Sequence, residues 1–323
     1  MMLNPALEAL PLQEKTALQA ERLRAIVERA YRKTGFYHQR LSTGQLQPAM
    51  LQTVETITRL PFLTTADLAA NYPYGLLTVP VSAIARFQQR ATSRAVGLTQ
   101  QDMANHLELL ARSLVAGQIS SGSVFMVVAA KEMMPYAPAL QTAAEGIGAT
   151  VIEQHGLNGK ELLKSILKFG VTALFASPET FLQLAETLTT LGFSTSELPL
   201  LSLLCDARQL DNPLRHKLRQ AYSTPIYTLY GHGDILSMGI AAECPEQNGL
   251  HLQEDHFYAE IVDPYTGLPV PDGQTGELVI TTLTREGMPL LRYRTADFAC
   301  LDRSPCPCGR TLARLHFSRF AGQ

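Results

Sequence analysis

Two cysteines one residue apart, Cys306 and Cys308 in C-P-C-G at 306–309, set two thiols on a single tight turn, and a second pair, Cys244 and His251, brackets P-E-Q-N-G-L upstream. Thiolate and imidazole are soft to borderline ligands, and four of them in two close pairs suit a closed, tetrahedral, structural Zn²⁺. His256, in E-D-H-F, is the rival imidazole. The alternative is a pair of free thiols in a polar loop, since C-x-C is not the commonest finger spacing. Cys205 and Cys300 each follow an apolar residue and read as small buried hydrophobes. No G-x-S-x-G elbow occurs, and the histidines at 38, 106, 155, 216 and 316 stand in ordinary surroundings, so no nucleophilic triad is drawn from them.

The composition narrows the field. A chain of 323 residues with 46% hydrophobic content can bury a sizeable core in roughly two domains or subdomains. A net charge of −2, from 27 Lys+Arg against 29 Asp+Glu, gives neither a nucleic-acid footprint nor a polybasic membrane patch. The longest apolar runs fall well short of the ~20 residues a membrane helix needs. The N-terminus M-M-L-N-P-A-L-E-A-L-P has no basic region followed by an apolar stretch, and five cysteines, an odd number, do not make a disulfide framework. The expectation is a cytoplasmic protein with no nucleic-acid or membrane partner; the sequence leaves oligomeric state, a homodimer included, open.

These residues must be carried by elements, and the apolar periodicity predicts which. Leu23, Ile26, Val27, Ala30 and Tyr31 recur at helical spacing within about 6–34, with Gly35 expected to end that helix. Thr64 or Thr65 is expected to cap a helix from T-T-A-D-L. From residue 123, short apolar runs at 124–129, 149–153, 171–176, 198–205 and 225–230 alternate with helical patterns at 140–147, 160–169, from Ser177-Pro178, and at 212–222. Such alternation predicts strands buried on both faces of a parallel sheet, with ligands beyond their carboxyl ends, where Asp206 and residues 230–234 fall. After Gly239 the texture turns to alternating strands and Gly/Pro/Asp turns, as at 257–262 and 277–283. The predicted fold is α/β: a helical segment over 1–85 packing on the core, a helix-covered, largely parallel sheet over 86–238, and a β-rich, barrel-like subdomain with the zinc site over 239–323.

Five motifs then occur in order: L-P-F-L-T-T-A-D-L-A-A-N-Y-P-Y-G-L-L at 60–77, Y-T-L-Y-G-H-G-D-I from Tyr227, F-Y-A-E-I-V-D-P-Y-T-G from Phe257, T-G-E-L-V-I-T-T-L-T from Thr275, and P-L-L-R-Y-R-T-A-D-F from Pro289, ahead of C-P-C-G-R. Together they resemble the phenylacetate-CoA ligase family of adenylate-forming enzymes, over most of the chain. The resemblance implies the fold of the N-terminal domain of those enzymes, and an activity in which a carboxylic acid and ATP give an acyl-AMP that passes its acyl group to coenzyme A. Similar E-C, G-L-H and C-P-C-G pairs in some members look like a zinc site.

Carried over position by position, the resemblance makes Asp234 the candidate catalytic, magnesium-side carboxylate, one methylene shorter than the family's glutamate. It makes Asp297 the acceptor for ribose hydroxyls, with Tyr230, Gly231 and Arg294 in the matching nucleotide motifs; a structural role for Asp297, paired with Arg292 or Arg294, stays open. Other positions depart from the pattern. The family's Ser/Thr/Gly-rich phosphate loop is replaced by R-F-Q-Q-R-A-T-S-R-A-V-G-L-T at 86–99, without its glycines and lysine, so that Arg90 and Arg94 are left to meet a phosphate as point charges. The adenine-side segment falls on D-A-R-Q-L at 206–210, with Arg208 where a glutamate is expected. The acyl-pocket segment, A-A-K-E-M-M-P-Y-A-P-A at 129–139, lacks the glycines expected there. The chain stops at Gly322 and Gln323, where the family continues into a mobile C-terminal domain. Two readings follow: a divergent protein, impaired in catalysis, that binds a small carboxylic acid, a nucleotide or a protein partner; or an AMP-forming ligase, with ATP and Mg²⁺, completed by a partner subunit that supplies the C-terminal domain in trans.

Overall fold

Apolar runs with no polar alternation have to be covered on both sides, and in the computed structural model, which describes residues 1–129, 136–155 and 158–319, they are. In chain order the helices α1 (Pro5–Glu8), α2 (Leu12–Lys33), α3 (Gly35–Thr43) and α4 (Thr65–Ala70) precede a hairpin of β1 (Arg86–Ala91) and β2 (Arg94–Leu98). Then follow α5 (Gln100–Ala116), β3 (Val124–Ala129), α6 (Ala137–Ile147), β4 (Thr150–His155), α7 (Gly159–Phe169), β5 (Ala173–Phe175), α8 (Pro178–Thr190), β6 (Ser202–Asp206) and α9 (Asn212–Ala221). Strands β7 (Ile226–His232), β8 (Leu236–Glu243), β9 (Leu250–Leu252), β10 (Phe257–Val262), β11 (Gly276–Thr282), β12 (Tyr293–Asp302) and β13 (Arg314–Arg319) complete the chain. No helix among the described residues is long and apolar enough to cross a membrane.

The chain divides into two units. The first comprises Met1–Leu3, Leu107–Gly231 and Ser237–Leu250; the second comprises Asn4–His106, His232–Leu236 and His251–Gln323. In the first, the order β4-β3-β5-β6-β7 is parallel throughout. Because side chains alternate along a strand, β3 feeds two separate cores. Phe125 and Val127 join Leu114, Leu140 and Ala144 on one face, while Met126 and Val128 join Ile166, Phe181 and Leu184 on the other. The Ser177-Pro178 start of α8 is as read from sequence, with the Ser177 hydroxyl accepting from Thr180 N–H. The strand expected over 198–205 begins only at Ser202, because Pro199 cannot donate to a ladder and Leu201 is 72% exposed.

In the second unit the order is β10-β11-β12-β13-β9, with β10–β11, β11–β12 and β12–β13 antiparallel. It is an open run with β10 at its edge, so the barrel-like closure expected from the sequence does not form. Leu23, Ile26, Val27 and Ala30 of α2 are buried, as their spacing required, with Tyr31 half-buried. The helix does not end through Gly35, whose φ is not positive. Thr34 closes α2 in extended conformation and its hydroxyl at once caps α3, leaving Gly35 as the first residue of the new helix. The N-terminal segment is fastened to the loop between β12 and β13: Glu8 pairs with Arg310 at 2.7 Å, both fully buried, Lys15 pairs with Glu254 and donates to the Thr311 carbonyl at 2.8 Å, and Thr311 Oγ1 donates to the Leu10 carbonyl at 2.7 Å. Thr64 and Asp67 form a complete capping box at α4, and Arg40 ties Asp67 to α3 at 2.9 Å.

Candidate functional site

The C-P-C-G segment is a turn between β12 and β13, closed by Gly309 N–H donating to the Cys306 carbonyl at 3.0 Å, with Gly309 at φ +84°. His251 on β9 faces it. Its Nδ1–H donates to the Leu312 carbonyl at 3.1 Å, which fixes the tautomer and turns Nε2 toward Cys308 Sγ, 3.4 Å away. The ligand atoms of His251, Cys306 and Cys308 lie within 4.8 Å of one another, so this Cys/His cluster can hold a metal ion. Burial, followed by the charges of Arg310, Arg314 and Lys15, pushes the His251 imidazole down to about 4 against the pull of the Leu312 carbonyl, so it presents a neutral nitrogen. An imidazole lone pair beside two thiols is the donor chemistry of structural zinc. The rival His256 is engaged elsewhere, with Nδ1 2.7 Å from Thr284 Oγ1 and Nε2 3.4 Å from Asp255. Cys244, immediately after β8, belongs to the first unit and is buried. Cys205 is fully buried, its thiol pushed well up by desolvation, whereas Cys300 is only half-buried.

The stretch expected to be a shortened phosphate loop is instead an antiparallel hairpin in the second unit, pairing Arg86 with Leu98, Phe87 with Gly97 and Gln88 with Val96. Its turn delivers Arg94, whose Nη1 donates to Asp234 Oδ2 at 2.5 Å. The same oxygen accepts from the Tyr293 hydroxyl at 2.8 Å, and Thr65 Oγ1 lies 3.1 Å from that hydroxyl. Since Tyr293 gives its proton to Asp234, Thr65 is the donor to the phenol oxygen. Burial, then the Asp234 charge, raises the Tyr293 phenol far above its ordinary range, so it stays a donor. His232 accepts at Nδ1 from Asp234 N–H (3.3 Å), lies 3.3 Å through Nε2 from the Thr295 carbonyl, and packs edge-on against Tyr293. Asp234 is thus a buried carboxylate that already has a cation. Arg94, read from sequence as a point charge for phosphate, donates to it through Nη1; the side chain of Arg90 lies outside the described residues, as do residues 130–135 of the expected acyl-pocket segment, and Gly322 and Gln323.

Asp297 is fully buried on β12, where the ladder to β11 loses register between Glu277 and Val279. The irregularity holds Ala296 at φ +60°, a conformation that costs energy in a non-glycine residue and re-aims its neighbours. Asp297 N–H is held by Thr295 Oγ1 at 3.1 Å. The two arginines proposed as its structural partners are each taken by a glutamate: Arg292 makes a bidentate pair with Glu260, and Arg294 Nε donates to Glu277 at 2.9 Å. Arg294 is therefore a structural ion-pair member in the second unit. Neither Glu260 nor Glu277 was legible as a partner, nor were Thr65 and Tyr293 around Asp234, because nothing in local spacing marks contacts between residues so far apart in the chain.

In the first unit, Asp206 ends β6 and its Oδ1 accepts from Arg208 N–H at 2.9 Å, so the D-A-R-Q-L segment is a self-capped turn. Tyr230 is fully buried in β7, and Gly231 is required by close approach: a Cβ there would lie 2.1 Å from the Ser237 carbonyl oxygen.

Comparison with known proteins gives concordant results. A family model for AMP-binding enzymes matches residues 139–284. A phenylacetate-coenzyme A ligase of Thermus thermophilus is 34% identical over 320 residues, spanning 98% of this chain and 72% of that protein. The corresponding ligase of Escherichia coli K12 is 30% identical over 96% of this chain and 71% of its own length. In fold, a solved 2-hydroxyisobutyryl-CoA ligase superposes with a TM-score of 0.87 at 22% identity, over 96% of this chain and 70% of that one. On this length and level of identity, the chain belongs to the phenylacetate-CoA ligase family of AMP-binding enzymes.

Proposed function

We propose that this protein keeps the adenylate-binding framework of its family, takes a small carboxylic acid, a nucleotide or their adenylate as ligand, and is impaired in making the adenylate itself. The observation that carries this reading is the contact of Arg94 with Asp234: the hairpin that replaces a glycine-rich loop puts a side chain onto the acid that the chemistry would need. A phosphate cradle works through accessible backbone N–H groups, and a paired hairpin spends many of its own on its partner strand. Asp297 is the residue that the resemblance assigns to the ribose hydroxyls, on the match of R-Y-R-T-A-D to the family pattern. The test is a calorimetric titration of the full chain with AMP and with a non-hydrolysable acyl-adenylate analogue. Asp297→Ala should weaken whatever binding is found by about tenfold or more, the loss expected for hydrogen bonds to a charged acceptor. Unchanged affinity in a folded Asp297→Ala protein would return Asp297 to a structural role.

The metal reading stands beside it. Zn²⁺ held by His251, Cys306 and Cys308, with Cys244 as fourth ligand, would tie the β12–β13 turn and contribute directly to folding, with no part in chemistry on the substrate. The ligand atoms of His251, Cys306 and Cys308 lie together, and the fixed His251 tautomer favours this assignment. Freshly purified protein should carry about one zinc per chain by elemental analysis, by the stoichiometry of a single four-ligand site. Cys308→Ser should release it, and chelation should lower the melting temperature. Clearly sub-stoichiometric zinc would sink the assignment.

A further inference from the structure

The resemblance to adenylate-forming enzymes implies a divalent cation at Asp234, and the side chains around Asp234 do not fit one. Mg²⁺ demands near-ideal octahedral oxygen geometry, and binds through carboxylates with lone pairs to give. Asp234 Oδ2 already accepts from the Arg94 guanidinium at 2.5 Å and from the Tyr293 hydroxyl at 2.8 Å. Among the described residues, the side chains that touch Asp234 or the Tyr293 ring and hydroxyl in these contacts are Arg94, His232 and Thr65, with no second carboxylate among them. A metal here would share one acid with a fixed cation, and the two positive charges would repel.

We infer that Arg94 is the resident cation of this site, standing where a divalent ion would otherwise be required, so that nucleotide or adenylate binding to this protein needs no Mg²⁺. The inference rests on the reading of this region as a nucleotide site and names what neutralises its acid. The geometry suits the task. Asp234 is 4% exposed while the Arg94 side chain is 28% exposed, so the guanidinium bridges a buried carboxylate and solvent. Among the described residues Arg94 donates to Asp234 alone. Its fork of donors therefore has N–H groups left over for one incoming anionic group, a nucleotide phosphate or a substrate carboxylate. Such a site favours a monophosphate or an adenylate over a triphosphate, because a single shared guanidinium neutralises little of the charge a triphosphate carries.

The experiment uses the full chain as purified, in magnesium-free buffer, with Mn²⁺ as the probe, followed by the loss of its free-ion paramagnetic resonance signal. Wild-type protein should bind no more Mn²⁺ than Asp234→Asn does. Arg94→Ala should uncover the acid and bind one additional Mn²⁺, and the double variant Arg94→Ala/Asp234→Asn should lose it again. Arg94→Gln serves if the alanine variant does not fold. In parallel, wild-type affinity for AMP should change by less than about twofold on adding Mg²⁺, whereas Arg94→Ala should lose about tenfold without metal, the effect of one charge-assisted hydrogen bond, and regain it with Mg²⁺. Mn²⁺ bound to wild type and abolished by Asp234→Asn would overturn the inference, and so would an Arg94→Ala protein that gains no Mn²⁺. If no nucleotide binds under any condition, the nucleotide reading fails, and the Mn²⁺ titrations still decide whether Arg94 holds the cation position.

Discussion

Given ATP, labelled pyrophosphate and a panel of aryl and short-chain acids, the protein should exchange label at least about 10²–10³-fold more slowly than a phenylacetate-CoA ligase, the usual cost of removing one preorganised charge-stabilising donor. Two such elements are altered. The phosphate segment is a paired hairpin, β1 with β2, whose register from Arg86 to Leu98 commits backbone groups that would otherwise turn to phosphate. The acid that the resemblance assigns to the phosphate side, Asp234, already has a guanidinium on its oxygen. Phosphoryl and adenylyl transfer make few covalent demands on the protein and depend almost wholly on positioning and on opposing developing charge, so losses at these positions are felt in rate. Arg208, where the family pattern expects a glutamate, adds a change of charge sign on the adenine side. Robust acid-dependent exchange with any member of the panel would show that the divergent site works, and would overturn the proposed impairment.

Arg292→Leu should destabilise the fold by about 3–5 kcal/mol, the range for breaking a buried ion pair from one side. The arginine is 4% exposed. It pairs with Glu260 through Nε at 3.0 Å and Nη2 at 2.8 Å, caps the carbonyls of Thr58 and Leu60 through Nη1 at 2.9 and 2.7 Å, and lies 4.0 Å above the Phe62 ring. Leucine fills some of the volume and satisfies none of these acceptors, leaving a buried carboxylate without its cation. Burial already raises the Glu260 carboxyl against the lowering effect of Arg292, and without the arginine the rise becomes larger. A carboxyl whose folded value is raised contributes stability below its unfolded value that is lost as pH climbs through the folded one. The deficit of the variant should therefore shrink below about pH 4, near the unfolded glutamate value, and widen toward neutrality. Urea denaturation at both pH values measures it; a loss under about 1 kcal/mol at neutral pH, small for any named core mechanism, would mean that water replaces the arginine at these acceptors.

The elements that could be read from sequence were those whose signals are local. The run at 124–129 declares a doubly covered strand by being apolar at every position, and Ser177 and Thr64 declare helix starts because a cap acts on residues two or three positions away. The C-P-C-G turn was legible for the same reason, two thiols set one residue apart ahead of a glycine. What could not be read was set by distant partners. R-F-Q-Q-R-A carries no clean apolar alternation, so the β1–β2 hairpin was missed. The role of Arg94 is decided by an acid 140 positions away, and that of Arg294 by a glutamate on the neighbouring strand. Gly35 misled because a glycine after a helical run usually ends it, whereas the threonine before it had already closed one helix and capped the next.

The division of the second unit along the chain sets a timetable for synthesis. Its first stretch, Asn4–His106, leaves the ribosome with Glu8 and Lys15 unmatched, because Arg310, Thr311 and Glu254 all belong to the stretch that begins at His251, whereas α2 already has α3 to pack on. At ordinary elongation speeds the gap lasts on the order of ten seconds. The parallel strands of the first unit lie in between, and β3 to β7 can pair with one another meanwhile. The nascent protein therefore carries Glu8 and Lys15, both destined for burial, without their partners for much of its synthesis, so this end of the chain is secured only once the stretch from His251 has been made.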